Sequence, residues 1–324
     1  MQNVNRKSRR FVFLFLFVLL LVICFISLCL GRFGFVNVFD LTEQSKIVLW
    51  NIRFTRIVCA CAVGAGLSVA GAVFQTLFHN PLASPDLLGA SSGAGFGAAL
   101  AILLGFSKSG VTVSAFAVSL FSIVIIYLIS KKAHGKSSYV LIVSGILVSA
   151  IFSSGISFVK LISDPENKLP EITFWLMGSL AGKKAEDCIF ICTSFLVGAI
   201  PLFLIRWKIN LLSLSSDEAK SLGVNTALLK TVVVIFATIL TSASVSVSGL
   251  IGWIGIIVPL IARKISGENC VELIPCSALL GAVFLVVVDT VSRCAFSAEI
   301  PIGILMSFIG SPFLIALLLK RKSI

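Results

Sequence analysis

Long apolar runs recur along the whole chain, separated by short polar segments. The first run extends from Phe11 to Leu30, and at about 1.5 Å per residue a helix of that length crosses ~30 Å of hydrocarbon. Further runs lie at residues 57–78, 88–106, 111–129, 139–162, 188–205, 228–248, 250–262, 273–291 and 302–319. The run at 250–262 is shorter than a straight span requires. The pattern predicts an all-α, polytopic membrane protein with about ten transmembrane helices, in one domain that covers residues 1–324.

The composition supports a membrane protein and argues against a soluble fold. The chain is 58% hydrophobic and 12% charged, whereas soluble domains are roughly 45–50% apolar and 25% charged. A secretory signal is the alternative for residues 11–30, but its apolar region usually has only about 7–15 residues, and a small-residue cleavage site is missing here. We therefore interpret residues 11–30 as the first span.

The basic residues predict the orientation of the chain. The cluster RKSRR at residues 6–10 precedes the first span, and most of the 26 Lys and Arg residues fall on the side that also carries both termini. Short loops rich in Lys and Arg favour the cytoplasmic side, so both termini are predicted to be cytoplasmic. The net charge of +12 is spread over short clusters and forms no continuous stripe, so we expect no nucleic-acid partner.

Small residues and cysteines within the runs are interpreted as packing residues. Gly64, Gly66 and Gly71 recur at near-helical spacing in the second run, and such residues allow helix backbones to approach closely in lipid. The nine cysteines, Cys59 and Cys61 among them, lie mostly in or beside apolar runs and resemble small hydrophobic residues. No cluster has metal-ligand spacing, so we expect neither a metal nor a cofactor.

The energy source for any transport must lie outside this chain. No Gly-x4-Gly-Lys-Ser/Thr sequence, which would cradle nucleotide phosphates, occurs. An ion-coupled secondary transporter is the alternative, but such carriers generally keep ionisable residues near the middle of the membrane. Asp289 is the main candidate here. It precedes Arg293 by four residues, so a helical ion pair near the outer end is favoured.

Two polar segments interrupt the apolar pattern on the predicted inner side. Residues 211–225 form a polar island, for which we predict two short helices separated by Gly223, or else a solvated loop. Asn80 with Pro81 predicts a turn after the second span, and Ser137 and Ser138 predict a helix cap before the fifth.

Three sequence blocks resemble the permeases of bacterial importers for iron-siderophores, haem and vitamin B12, which are type II ATP-binding cassette (ABC) importers of the FecCD-like family. They are RFTRIVCACAVGAGLSVAGAVFQTLFHNPLASPDLLGASSGAGFG at residues 53–97, LLSLSSDEAKSLGVN at residues 211–225, and SVSGLIGWIGIIVPLIAR at residues 246–263, which continues through VDTVSR to EIPIGILMSFIGSPF at residues 299–313. The chain departs from the family pattern at Thr55, Ser215, Trp253 and Leu260, where Pro, Gly, Phe and His are usual.

The resemblance implies a non-catalytic membrane subunit of the bacterial cytoplasmic membrane. Its expected partners are a separate ATPase subunit, a substrate-binding protein and a second permease copy, identical or similar. The ligand implied by family frequency is an iron(III)-siderophore-type chelate, with haem and vitamin B12 as alternatives.

The resemblance also implies roles for three sets of residues. Docking of the binding protein is expected at Arg53, Arg56 and Arg293. The inner gate is expected at Asn80, Leu82, Ser137 and Ser138. Coupling to the ATPase is expected at Leu214, Asp217, Glu218, Ala219, Leu222 and Gly223.

Overall fold

A computed structural model describes residues 6–31, 42–132, 138–214, 216–296 and 298–320, and every regular element in these ranges is helical. The α-helices are α1 Arg6–Cys29, α2 Glu43–Ile47, α3 Thr55–Leu77, α4 Ala90–Leu103, α5 Lys108–Lys132, α6 Ser138–Ile162, α7 Lys168–Leu176, α8 Ala185–Leu204, α9 Arg206–Ile209, α10 Ser216–Ser221, α11 Thr226–Ser248, α12 Ile254–Ser266, α13 Cys270–Cys294 and α14 Ile302–Lys320. A π-helical turn at Val48–Phe54 leads into α3, and 3-10 turns cover Pro85–Leu88 and Asn210–Ser213.

Each apolar run of the sequence falls on one of these helices. Within these ranges, seven helical segments are long and apolar enough to cross a membrane, and Ala90–Leu103 and Ile302–Leu317 are shorter apolar helices. The all-helical, polytopic membrane architecture is therefore confirmed. The finer count of ten spans, and the cytoplasmic position of both termini, remain predictions.

The short run at residues 250–262 differs from its predicted bounds. Its helix, α12, begins only at Ile254 and continues to Ser266. The preceding residues turn sharply, with positive φ at Gly249 and Trp253. The backbone oxygen of Trp175 would lie only 2.3 Å from a Cβ on Gly249. Apolar composition therefore marked the segment correctly, but it could not show that the helix begins only after this turn.

Helix α3 occupies the centre of the fold, and small residues bring its neighbours close. A Cβ on Gly64 would lie 2.2 Å from the Gly281 oxygen of α13, and a Cβ on Gly71 would lie 2.0 Å from the Gly255 oxygen of α12. Dispersion contacts and interhelical hydrogen bonds, rather than a hydrophobic driving force, hold helices together in lipid. The interpretation of these glycines as close-packing residues is confirmed.

Helices α6 and α14 lie at the periphery and expose large apolar side chains. Exposed residues include Ile151 and Phe158 on α6, and Phe308 and Ile315 on α14. Two hydroxyl groups on these exposed faces are bonded within their own helix, Ser157 to the Ser153 oxygen and Ser307 to the Gly303 oxygen. These two hydroxyl groups therefore need no partner from lipid or from a second copy.

Candidate functional site

A buried cluster of charged side chains joins the ends of α1, α3 and α13 at the predicted outer side. Arg56 donates from Nε to Asp289 Oδ1 at 2.8 Å and from Nη2 to Glu299 Oε1 at 2.6 Å. Arg293 Nε lies 3.6 Å from Asp289 Oδ2, so the predicted pairing of Asp289 with Arg293 is confirmed. Asp289 is 1% exposed, and two guanidinium groups compensate its buried charge.

Two of the arginines, Arg53 and Arg293, also tie this cluster to helix α1. Arg53 Nη1 donates to the backbone oxygens of Leu28 and Cys29 at 2.7 and 2.8 Å. Arg293 Nη2 donates to the backbone oxygen of Ser27 at 2.7 Å and also contacts the Ser27 hydroxyl. The last carbonyl groups of a helix lack partners within the helix, so these guanidinium groups cap the C-terminal end of α1.

The burial and contacts of Arg53, Arg56 and Arg293 can be compared with their expected docking role. The structure brings the three together at the outer end, but they are only 2%, 7% and 7% exposed. Each already contacts groups of its own chain, so direct pairing with a carboxylate of another protein would require a rearrangement. Docking through these arginines stays a prediction, and the geometry favours the alternative, a structural role.

Exposed positive charge at the predicted outer side comes instead from lysines. A cleft of about 380 Å³ lies beside Lys108 and Lys183 and also contains Glu171 and Asp187. The pKa of Lys183 is lowered because burial penalises its charged ammonium group, and Asp187 partly offsets this effect. Lys108 and Lys184 are exposed, and their ammonium groups are therefore open to an acidic partner.

The predicted inner side holds a cavity of about 810 Å³ between the ends of α3, α12 and α14. Its lining residues are Gln75, Thr76, His79, Asn80, Pro81, Leu82, Asn210, Ser213, Leu260, Arg263, Lys264, Glu268, Phe313, Ala316 and Leu317. Arg263 crosses from α12 to α3, where it bonds Thr76 Oγ1 at 3.0 Å, and it also pairs with Glu268 at 2.7 Å. Sequence reasoning did not select Arg263, because its partners on α3 are about 190 residues away.

The structure describes only some of the predicted inner-gate residues. The Leu82 N–H donates to Asn80 Oδ1 at 2.9 Å, as in the expected turn, and both residues line the inner cavity. Helix α6 begins at Ser138, as predicted, although nothing is described of that side chain. Ser137 lies outside the described residues. The gate function of all four residues stays a prediction.

A second cavity, of about 640 Å³, opens along α14 and is lined by uncharged residues: Leu176, Met177, Leu250, Gly252, Gly303, Ile304, Ser307, Phe308, Ser311 and Pro312. Two backbone bonds anchor the start of α14 beside it, from the Ile302 N–H to the Gly178 oxygen at 2.9 Å and from the Gly303 N–H to the Met177 oxygen at 3.1 Å. The cavity wall is therefore neutral and fixed at one end.

The segment predicted to couple to the ATPase is one short helix followed by a turn. Helix α10 ends at Ser221, Gly223 has φ of 75°, and the long helix α11 begins at Thr226. The expectation of two short helices separated by Gly223 is therefore wrong, because the second helix is a full-length span. The Asn225 side chain caps that span by accepting from the Leu228 N–H at 3.1 Å.

Some side chains of this predicted coupling segment are buried and others are exposed. Ala219 is fully buried, whereas Leu214 and Leu222 are 40% and 61% exposed. Glu218 is exposed, and the side chain of Asp217 lies outside the described residues. Leu214 and Leu222 are thus exposed apolar side chains in an otherwise polar segment.

Comparison with known proteins settles the family. Residues 18–320 match the FecCD transport family. The chain belongs to this family. It is 39% identical over 317 residues to the molybdate import system permease protein MolB of Haemophilus influenzae, covering 94% of both chains. It is also 39% identical over 285 residues to a probable iron chelatin transport system permease protein of Helicobacter pylori, covering 88% of this chain and 86% of the relative.

The fold agrees with a solved member of the same class. The inward-facing structure of a metal-chelate type ABC transporter superposes with a TM-score of 0.90 at 39% identity, covering 95% of this chain and 99% of that one. The FecCD protein described here is thus a multi-pass, non-catalytic permease subunit of a bacterial ABC importer. ATP hydrolysis belongs to a separate subunit, and an importer of this class also works with a binding protein.

Proposed function

We propose that this FecCD permease imports an iron(III)-siderophore-type chelate, with α6 and α14 lining the pathway. The observation that carries the proposal is the neutral cavity along α14, whose lining residues carry no charge. Such a wall offers few strong contacts to a bulky chelate. The chelate can therefore leave the wall again, as a conducting pathway requires. The Helicobacter pylori relative, described as an iron chelatin permease, supports the same ligand class.

Molybdate is the second candidate ligand. The relative MolB carries it in its name and matches 94% of this chain. A neutral wall offers no guanidinium or ammonium group to attract a small oxyanion, which is why we favour the larger chelate. Haem and vitamin B12 are further candidates, because a neutral wall suits them equally.

An uptake assay separates these ligands. The permease is reconstituted in vesicles with its ATPase subunit and the binding protein encoded beside it, and supplied in turn with radiolabelled iron(III) chelate, molybdate, haemin and cobalamin. We expect ATP-dependent accumulation of the iron chelate. Accumulation of molybdate alone would overturn the iron proposal while leaving the importer class intact.

The proposed assembly contains two permease copies facing each other across α6 and α14. The exposed apolar side chains of both helices support this arrangement, together with serines on the same faces. Cross-linking between cysteines introduced at Phe308 in two copies should trap a dimer in the membrane. A matched pair introduced at Leu204, an exposed residue at the end of α8, should give no cross-linked dimer.

The proposed topology places Arg56 outside and the coupling segment, with Leu222, inside. The inward bias of the basic residues supports it. A membrane-impermeant maleimide applied to spheroplasts should label Cys294, which is exposed at the end of α13. Failure to label Cys294, together with labelling after the membrane is opened, would reverse the orientation.

A further inference from the structure

Two cysteine thiols from different helices meet at the outer end of the fold. Cys59 Sγ, in the second turn of α3, lies 3.2 Å from Cys188 Sγ, in the first turn of α8. Cys188 Sγ also donates to the backbone oxygen of Thr55 at 3.0 Å, which directs the thiol of α8 towards α3. Residues 129 apart in sequence are thus held with their sulfur atoms facing.

The distance leaves little movement before a bond could form. A disulfide bond is ~2.05 Å long, so the two sulfur atoms would need to approach by about 1.1 Å. Cys59 is fully buried, whereas Cys188 is partly exposed and follows the polar residue Asp187. One thiol can therefore be reached from water, and the other lies directly behind it.

We propose that Cys59 and Cys188 form a disulfide bond in the membrane-inserted protein, joining the outer ends of α3 and α8. This inference rests on the proposed topology, which places these ends on the extracytoplasmic side. That compartment is oxidising in bacteria, whereas the cytoplasm keeps thiols reduced. The two thiols would instead remain reduced if this end of the protein faced the cytoplasm.

The oxidant is an extracytoplasmic protein disulfide, and the reaction is thiol–disulfide exchange. The Cys188 thiolate attacks one sulfur of that disulfide, forms a mixed disulfide and releases one thiolate of the oxidant. The Cys59 thiolate then attacks Cys188 Sγ and displaces the second oxidant thiol. The permease loses two electrons and two protons, and the oxidant disulfide is reduced to a dithiol.

The other close pair is a less suitable site for a bond. Cys24 of α1 and Cys61 of α3 have sulfur atoms 3.8 Å apart, and Cys61 lies two residues further from the outer end than Cys59. A thiol deeper in the membrane is further from an oxidant protein. A metal site does not compete either, since the described ranges contain no group of three or more His, Cys, Asp or Glu placed to hold one.

The test uses the wild-type protein taken directly from cells. Free thiols are trapped by acid, and the denatured protein is alkylated with N-ethylmaleimide without prior reduction. We expect two fewer adducts than the nine cysteines of the chain allow, with all nine restored by dithiothreitol. Peptide mapping should show one linked pair, the peptides of Cys59 and Cys188. Nine adducts without reduction, or linkage of a different pair, would overturn the proposal.

Variants distinguish this bond from a structural role of the thiols. Cys188→Ser should abolish the linkage and free Cys59 for alkylation, whereas Cys24→Ser should leave the linkage intact. In the wild type, dithiothreitol should lower the temperature of unfolding in detergent, and in Cys188→Ser it should have no effect. An equal effect of dithiothreitol in both proteins would contradict a stabilising bond.

Two further measurements distinguish a failure of the disulfide proposal from a failure of the proposed transport function. Labelling of Cys294 in spheroplasts tests the topology alone, and uptake of the iron chelate tests the transport alone. If Cys294 is labelled and the chelate is imported while Cys59 remains free, the disulfide proposal fails and the function stands.

Discussion

Replacing Arg56 by Ala should cost about 3–5 kcal/mol of unfolding free energy, the range typical of a buried pair that loses one partner. Arg56 bonds Asp289 through Nε at 2.8 and 3.0 Å, and the two side chains are 8% and 1% exposed. Without Arg56, the carboxylate of Asp289 keeps only Arg293, at the longer distance of 3.6 Å. Most of its burial penalty is then uncompensated.

Three variants separate the terms of this prediction. Glu299→Gln removes the second carboxylate charge that pairs with Arg56, at an oxygen that also accepts from Ser179 Oγ at 3.3 Å. Glu299 is 21% exposed, so we expect a smaller loss of about 1.5–3 kcal/mol, as for a hydrogen bond to a charged group. Asp289→Asn should also destabilise, because Arg56 and Arg293 then face each other without the shared carboxylate. The double variant Arg56→Ala with Asp289→Asn should lose less than the sum of the two single variants, since neither charge is left alone.

The assay is reversible unfolding of the purified permease in mixed detergent micelles, followed by circular dichroism. Association with the binding protein is measured on the same variants, with Lys184→Glu as an exposed outer-side control. A structural cluster predicts that Arg56→Ala unfolds more easily and that Lys184→Glu does not. Our interpretation would be refuted if Arg56→Ala were as stable as wild type and yet failed to bind the binding protein.

Three shorter predictions test other parts of the molecule. Leu222→Ala should weaken binding of the ATPase subunit, measured by pull-down, and reduce the stimulation of ATP hydrolysis by substrate, measured by phosphate release. The control Leu204→Ala removes an equally apolar side chain, 72% exposed at the end of α8, and should change neither. Gly64→Ala should destabilise by about 1–3 kcal/mol or more through overpacking against the Gly281 oxygen, while Gly252→Ala, with open space around its Cβ position, should be nearly neutral in the same unfolding assay. The purified permease without its ATPase subunit should release no phosphate from ATP, and turnover by the isolated chain would contradict its assignment as non-catalytic.

Local properties of the sequence were sufficient to predict the long apolar helices. Each span is a continuous apolar run, and length and composition alone place it in the membrane. The turn at Asn80 and the start of α6 at Ser138 were also predictable, because Pro, Asn and Ser act on the backbone beside them. The beginning of α12 at Ile254 was not, since the turn before it includes Gly249, which packs against the backbone of Trp175, 74 residues earlier in the chain.

Most contacts of the charged cluster could not be predicted from a single sequence. The pair Asp289 with Arg293 was predictable from its spacing of four residues, but Arg56 and Glu299 are 243 residues apart. Their contact depends on the packing of α3 against α13. Gly64 and its neighbours allow a helix to pack closely there, but they do not specify which helix it is. The burial of the three arginines was therefore not predicted from the sequence.

The position of Glu299 connects the cluster to the proposed pathway. Glu299 bonds Arg56 on the central helix, and only Ile300 and Pro301 separate it from the first residue of α14. The Ile300 N–H bonds the Ser292 oxygen of α13 at 3.2 Å, and the backbone of Gly303 bonds Met177. Helix α14 is thus fixed at its outer end to the best-buried part of the protein. Its remaining length carries the neutral, exposed face that we propose to line the route of the chelate.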